Sequence, residues 1–359
     1  MNPELDRLLT WREASTSGDA IAAALASARA TAGGVVDWLG AADRLILTGA
    51  GSSYYLAQVV AAVARDLTGR VVLATPPSEL ILRPAGVLGR GPAGRQPVIV
   101  ISRSGSTSEA VEVVERMGAA GHPTIAVTCR DGSPLATRAE RVLLSPAGDE
   151  QAVVMTRSFA SMLALLLRVV AAMAGDRALG ADLDRLPECW PEAVAAAEIG
   201  AALGSVDRSR VVILGGGPAH GIASEWGLKL TETSQVAADV YEPLEFRHGP
   251  ISVCEPGVLV VGLVGGPSAA AESRVVAETA GLGAETWLIG HATSDAGRPA
   301  DRASRTGRVS AVGSGLHPWA RLPLLVYPAH ALALSLALTR GRDPDAPRHL
   351  GQVVILDPA

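Results

Sequence analysis

Short apolar runs alternate with longer amphipathic stretches over most of this chain. The stretch to about Trp38 is Ala-rich, polar-flanked and poor in breakers, and reads as helix. Alternation then starts at Arg44–Thr48 (RLILT), followed by Gly49-Ala50-Gly51 and a helical pattern from Tyr54 to about Leu67. Val71–Ala74, Pro97–Ser102 (PVIVIS), Thr124–Thr128 and Val142–Leu144 continue it, with a helix from Glu109 to about Met117. Short apolar runs separated by helices, with Gly/Ser turns at their C-terminal ends, predict a parallel α/β sheet. After about Gly175 a polar, Pro-containing stretch (GDRALGADLDRLPECWPE) reads as linker plus helix. The pattern restarts at Arg210–Leu214 (RVVIL), Gly215-Gly216-Gly217 and a helix holding Glu225. Val258–Val264, Thr286–Ile289 and Val309–Val312 are further strand candidates, and a long helix, about Leu322–Thr339, precedes the tail DPDAPRHLGQVVILDPA. The chain reads as two similar doubly wound α/β units, residues 1–185 and 186–359.

Length and composition agree with this division. A chain of 359 residues favours two domains. With 48% apolar and 19% charged residues it can bury a sizeable core, which argues against disorder. Net charge is −5 and no basic run exceeds a few residues, so nucleic acid is not an expected partner. The start, MNPELDRLLTWREAST, lacks an apolar h-region, and no secretory leader is expected. The apolar helix near Met155–Met173 contains Arg157 and Arg168 and reads as a core helix, so no membrane partner is expected. Cys129, Cys189 and Cys254 are widely spaced and lack metal-ligand spacing. Three reduced thiols in a cytoplasmic protein, with no metal or other cofactor, are the expectation.

Candidate chemistry concentrates in two places. From Glu225 to Pro250 the sequence EWGLKLTETSQVAADVYEPLEFRHGP puts Glu225, Lys229 and Glu232 on one helix face, at i, i+4 and i+7. His248 follows in a His-Gly-Pro turn. Two carboxylates, an amine and an imidazole suit proton transfer on a small polar substrate. The plainer readings are a helix-surface Glu232 paired with Lys229 and an i, i+4 pair of Lys229 with Glu225. SRSGST (Ser102–Thr107) lies between a strand and a helix, where hydroxyls and unpaired N–H groups suit a dianion. Gly105 permits a tight turn there. GAGSSY (Gly49–Tyr54) adds Ser52 and Ser53 at another strand end, and ligands of open α/β sheets sit beyond such ends. Helix capping alone also accounts for serines in these places. Neither turn is a Walker A loop or a GxGxxG fingerprint, so a dinucleotide is not indicated.

On SRSGST, GAGSSY, the Glu150–Phe159 segment (EQAVVMTRSF) and EWGLKLTE…FRHGP, the chain resembles the sugar isomerase (SIS) domain family from about residue 40 to its end. Within that family it is similar to amino-sugar-phosphate deaminase/isomerases and to the isomerase half of glutamine–fructose-6-phosphate amidotransferase. The resemblance implies two tandem SIS units, each a doubly wound five-stranded parallel sheet flanked by helices. It implies that Ser53, Ser102, Arg103, Ser104 and Thr107 hold a sugar phosphate, Arg103 standing where the amidotransferase has Gln. It implies Glu232 as the acid/base between C1 and C2. His248 matches the ring-opening histidine, which in the family reaches the site from the neighbouring subunit of a homodimer. Lys229 and Glu225 match charged residues of the same helix. Glu150 matches an acid near the substrate or belongs to a structural network, and Val153 lies in the same segment, on the substrate side. Glu242 has no counterpart in the amidotransferase and either tunes specificity or is solvated.

Two departures shape the expected reaction. The amidotransferase begins its mature chain with a nucleophilic Cys in a glutaminase domain. This chain begins MNPEL, so glutamine is not the expected nitrogen source. The amidotransferase tail also carries a Lys that forms a Schiff base with the open-chain sugar, and the matching position here is Gln352, which cannot. The expected function is deaminating isomerisation of a hexosamine 6-phosphate. Alternatives are an aldose–ketose isomerase, a phosphosugar-amine deglycase, a dehydratase acting on N-acetylhexosamine 6-phosphate, and a non-catalytic sugar-phosphate sensor.

Overall fold

The structure is a computed structural model that describes residues 3–40, 42–290 and 307–356. Among them, two five-stranded sheets form, and every strand pair is parallel. The first holds β1 (Arg44–Thr48), β2 (Val71–Thr75), β3 (Val98–Ile101), β4 (Thr124–Thr128) and β5 (Arg141–Leu144), in the order β2-β1-β3-β4-β5. The second holds β6 (Arg210–Gly215), β7 (Ala237–Tyr241), β8 (Val258–Leu263), β9 (Glu285–Gly290) and β10 (Gly307–Ala311), in the order β10-β9-β8-β6-β7. In both sheets the first strand lies between the second and the third. The chain direction across the sheet therefore reverses between β1 and β3, and again between β6 and β8, the places where α/β sheets receive ligands.

Strands β3, β4 and β8 are buried at every position, as central strands covered on both faces must be. Strand β7 (AADVY) is an edge strand with no buried position, so it has no apolar run and escapes the sequence pattern. In the first unit Ile46, Val98, Val100 and Ala126 pack against Ala110, Val113, Val114 and Met117 of the Ser108–Ala119 helix. In the second, Trp226 and Trp287 meet with ring centroids 5.5 Å apart and planes tilted by 58°. A ring pair of that geometry adds about 0.5–1.5 kcal/mol beyond its buried area.

By contact the chain divides into two compact units. One comprises Thr16–Gln151, Arg157–Asp184 and the tail from Gly351. The other comprises the residues up to Ser15, Ala152–Thr156 and Arg185–Leu350. The early segment belongs to the later unit for a clear reason. The Asp345 carboxylate accepts hydrogen bonds from Leu9 N (2.7 Å), Thr10 N (2.8 Å) and Thr10 Oγ1 (2.6 Å), capping the Leu9–Ala14 helix. Trp11 of that helix stacks on Tyr327 at 5.1 Å.

Three helical expectations change in detail. The N-terminal helix is interrupted at Ser15–Thr16 and resumes as Ser17–Leu39, because its two pieces pack in different units. The expected linker after Gly175 is folded, as Arg177–Asp184 and a short 3-10 turn before the Trp190–Gly204 helix. The long C-terminal helix opens as a 3-10 turn at Leu322–Leu325, where Pro323 lacks a donor, and becomes α-helical over Val326–Thr339. Among the described residues two helical segments, Arg157–Ala174 and Leu322–Thr339, match a membrane span in length and composition. They are 72% and 89% buried inside the protein, as core helices are.

Each first strand ends in the same turn. Gly51 (φ 55°, ψ −125°) precedes the Ser52–Thr68 helix, and Gly217 (φ 53°, ψ −127°) precedes the Pro218–Ser234 helix. That backbone is closed to L side chains, so glycine is required at both. The same device built twice puts a helix N-terminus beyond β1 and beyond β6.

Candidate active site

In the first unit, the turns after β1 and β3 flank the reversal point. Ser52, Ser53, Ser102 and Ser104 are all buried. The SRSGST turn is held by its own hydroxyls. Gly105 N–H donates to Ser102 O and Ser102 Oγ, both at 3.2 Å, and Ser106 N–H donates to Ser104 Oγ at 3.2 Å. Ser102 Oγ and Thr107 Oγ1 lie 3.3 Å apart. The Arg103 carbonyl accepts from Thr128 Oγ1 (3.0 Å) and Cys129 N (3.1 Å), which ties the turn to the end of β4. A Cβ on Gly105 would overlap the Ser133 hydroxyl, so the turn closes only with glycine. Thr107 is extended and precedes the Ser108–Ala119 helix, whose N-terminal N–H groups and dipole favour an anion.

The Arg103 guanidinium is 5% exposed and lies 3.6 Å from Glu150 Oε1, which is fully buried. Ser158 Oγ also donates to Glu150. Glu150 is thus part of a buried network, and its charge opposes the one that Arg103 brings to the turn. Arg103 Nη2 further donates to Gln352 O at 2.9 Å. The tail runs on across the helix start: Ser108 N donates to Val354 O (3.2 Å) and Leu356 N donates to Ser108 Oγ (3.0 Å). The Gln352 side-chain amide donates to Gln151 O. Tail contact with the serine turn has no signal in the sequence pattern, because it is made largely by backbone atoms.

In the other unit, the Pro218–Ser234 helix brings its three charged groups together. Lys229 Nζ lies 2.5 Å from Glu232 Oε2 and 3.4 Å from Glu225 Oε1. These are not the surface pairs of the plainer readings. Glu225 is fully buried, Lys229 is 1% exposed, and only the Glu232 side chain, at 19%, reaches out. Removing one partner from a buried pair of this kind costs about 3–5 kcal/mol. The sequence held a sharper signal than helix spacing: Lys229 is the chain's only lysine, amid thirty arginines. Where arginine serves everywhere else, this site has kept a compact ammonium, a point charge rather than a planar fork.

His248 is exposed, in the turn after the Pro243–Phe246 helix, with its N–H donating to Glu245 O at 2.9 Å. It is not a buried imidazole. Val153 is half-buried, beside Ala152, whose N–H donates to Glu13 Oε2 at 2.8 Å. Glu242 directly follows β7, beside the end of β6 and across from Glu272. A Cβ on Gly216 would stand 2.5 Å from Glu272 Oε1 and 3.3 Å from Glu242 Oε2. Burial, and then the Glu242 charge, push the Glu272 carboxyl above its usual range. The second reversal point therefore has carboxylates nearby where the first has serines.

Sequence reading missed His330. It lies on the Val326–Thr339 helix, 2% exposed, and neither ring nitrogen has a hydrogen-bond partner among the described residues. Burial, and then the charge of Lys229, push its pKa down to about 3, so the ring is neutral. A buried polar group without a partner costs about 1–3 kcal/mol.

Comparison with known proteins agrees with this architecture. The SIS domain family model matches residues 39–172 and 206–324. Glutamine–fructose-6-phosphate aminotransferase [isomerizing] of Aeropyrum pernix is 29% identical over 331 residues, covering 88% of this chain and 52% of the relative. The chain spans about half the length of the curated relatives it matches. The C-terminal domain of glucosamine-fructose-6-phosphate aminotransferase from Francisella tularensis superposes with a TM-score of 0.83 at 17% identity, over 94% of this chain and 97% of that one. Glucosamine-6-phosphate deaminase from Thermotoga maritima superposes with a TM-score of 0.71 at 24% identity, over 93% and 100%. At these identities the structures speak for the fold. With the family model on both halves and a doubly wound sheet in each, the chain belongs to the SIS (sugar isomerase) domain family.

Proposed function

We propose that this chain is an enzyme of the phosphosugar isomerase class that deaminates a hexosamine 6-phosphate, giving fructose 6-phosphate or its epimer and ammonia. The carrying observation is the Lys229–Glu232 pair: a carboxylate that reaches outward, oriented by a buried ammonium. The serine turn after β3, at a helix N-terminus, supports a phosphate anchor. An open-chain 2-amino-2-deoxyaldose has an acidic C2–H beside its aldehyde. Glu232 takes that proton, giving an enol-amine, and returns a proton to C1. The product is a C2 imine, which water splits into ketose and ammonia. No external nitrogen donor enters, and the tail offers Gln352 where an imine-forming amine is needed for the synthetic direction. Exposure of His248 suits ring opening on a neighbouring subunit, so the working unit is a homodimer with shared sites, acting in the cytoplasm.

The test is incubation with glucosamine 6-phosphate and galactosamine 6-phosphate without glutamine, following ammonia and ketose 6-phosphate together. Equal amounts of both are expected from one of the two. Ketose formed from an aldose 6-phosphate, with no ammonia from either amino sugar, replaces deamination by simple isomerisation. Binding without turnover replaces the enzyme by a sensor.

A further inference from the structure

His330 is a buried titratable group on a helix packed against the charged one, and the reaction above leaves it unused. Its helix is fixed against the Pro218–Ser234 helix at two levels. Trp226 Nε1 donates to Leu325 O at 2.9 Å, and Thr233 Oγ1 donates to Ala333 O at 3.4 Å. Lys229 lies between Trp226 and Thr233, and His330 lies between Leu325 and Ala333, so the two helices carry both residues at matching heights. The other side of the His330 helix is clamped by the Trp190–Gly204 helix. There a Cβ on Gly200 would stand 2.7 Å from Pro328 O, and one on Gly204 2.5 Å from Leu332 O. A ring on so tightly packed a helix cannot turn away to solvent. Its nitrogens nevertheless have no partner among the described residues, and an unpartnered buried group calls for a role.

We propose that His330 is a positioning residue for Lys229: its buried neutral imidazole directs the ring dipole at the ammonium and fixes where Lys229 holds Glu232. The effect acts across space, since among the described residues no hydrogen bond reaches either ring nitrogen. Burial, and then the neighbouring positive charge, keep the ring neutral, and a neutral ring is the form that leaves Lys229 undisturbed. His330 then stands to Lys229 and Glu232 as a third group orients a catalytic base. This rests on the reading of Glu232 as the base.

Because Lys229 is the sole lysine, full-length protein labelled with lysine-ζ-15N carries one side-chain amine signal, which reports its surroundings without any turnover. His330→Leu removes the dipole at similar volume. The expected result is a shifted or broadened amine signal, kcat lowered about tenfold on the substrate identified above, KM within twofold, and thermal stability equal or higher. His330→Gln, which restores a dipole, is expected to recover part of kcat and of the signal position. An unchanged amine signal in soluble His330→Leu overturns the proposal. So does full kcat in His330→Leu. Failure of the base reading is separate: it shows as retained turnover in Glu232→Gln, while the amine signal still decides the role of His330.

Discussion

Lys229 Nζ stands 2.5 Å from Glu232 Oε2, yet the lysine is 1% exposed and the glutamate side chain 19%. The buried member sets the geometry, and the outward member has access to a substrate. Replacing Glu232 by Gln keeps the shape and a hydrogen-bond acceptor for the lysine but removes the base. Turnover should fall by roughly 10²–10⁴, while the dissociation constant of the sugar phosphate, measured calorimetrically, stays within about fivefold. Joint loss of binding and fold would make Glu232 a structural residue.

Enolisation needs no amine nucleophile, and Lys229 is held by carboxylates on both sides. Borohydride added with substrate should therefore leave the lysine-bearing peptide unmodified by mass spectrometry. A reduced sugar adduct on Lys229 would replace the route through Glu232 alone by an imine route.

The serine turn should govern affinity for phosphate. Ser102→Ala and Thr107→Ala each remove a hydroxyl from a site built for a dianion, and a hydrogen bond to a charged group contributes about 1.5–3 kcal/mol. KM should rise at least tenfold in each with little change in kcat. Unphosphorylated glucosamine should show no such sensitivity, and equal losses on both sugars would make the turn a scaffold only.

Stability against pH should carry the signature of His330. Its folded pKa is pushed down to about 3, against an ordinary value of 6.5. Between these values the unfolded chain binds one more proton than the folded one. The stabilisation is complete above the unfolded value and is lost as pH falls through the window, by about 1.4 kcal/mol per pH unit. Urea titrations of the parent and His330→Leu from pH 7 to pH 4 should diverge with that slope. Parallel curves would mean that the ring is not kept neutral.

A shared dimeric site predicts complementation. Coexpressed Glu232→Gln and His248→Ala chains should regain activity in mixed dimers, since each mixed dimer keeps one intact set. Purified heterodimers with no activity would place His248 and Glu232 in service of the same protomer.

Both sheets were largely legible, because central parallel strands must be continuous apolar runs and Thr124–Thr128 or Val258–Leu263 cannot be much else. Edge strand Ala237–Tyr241 was not, because an edge needs no such run. At the site, helix periodicity joined Glu225, Lys229 and Glu232 correctly but could not tell a surface face from a buried one. The Arg103–Glu150 pair and the Glu242–Glu272 approach depend on side chains meeting across the fold, which spacing along the chain does not encode. His330 was hidden for the opposite reason: what marks it is two buried ring nitrogens with no hydrogen-bond partner among the described residues.

Segment exchange between the units has a consequence for biosynthesis. The Val354 carbonyl and the Leu356 N–H that meet Ser108 leave the ribosome only after all of Arg185–Leu350. Until that stretch is made, the serine turn and the helix start behind it wait without their last strap. The other unit waits nearly as long at its early piece, since Asp345, which caps the Leu9–Ala14 helix, is made only shortly before Val354. Vectorial synthesis should thus leave both units incomplete until this late stretch is made, and exposed to chaperones while they wait.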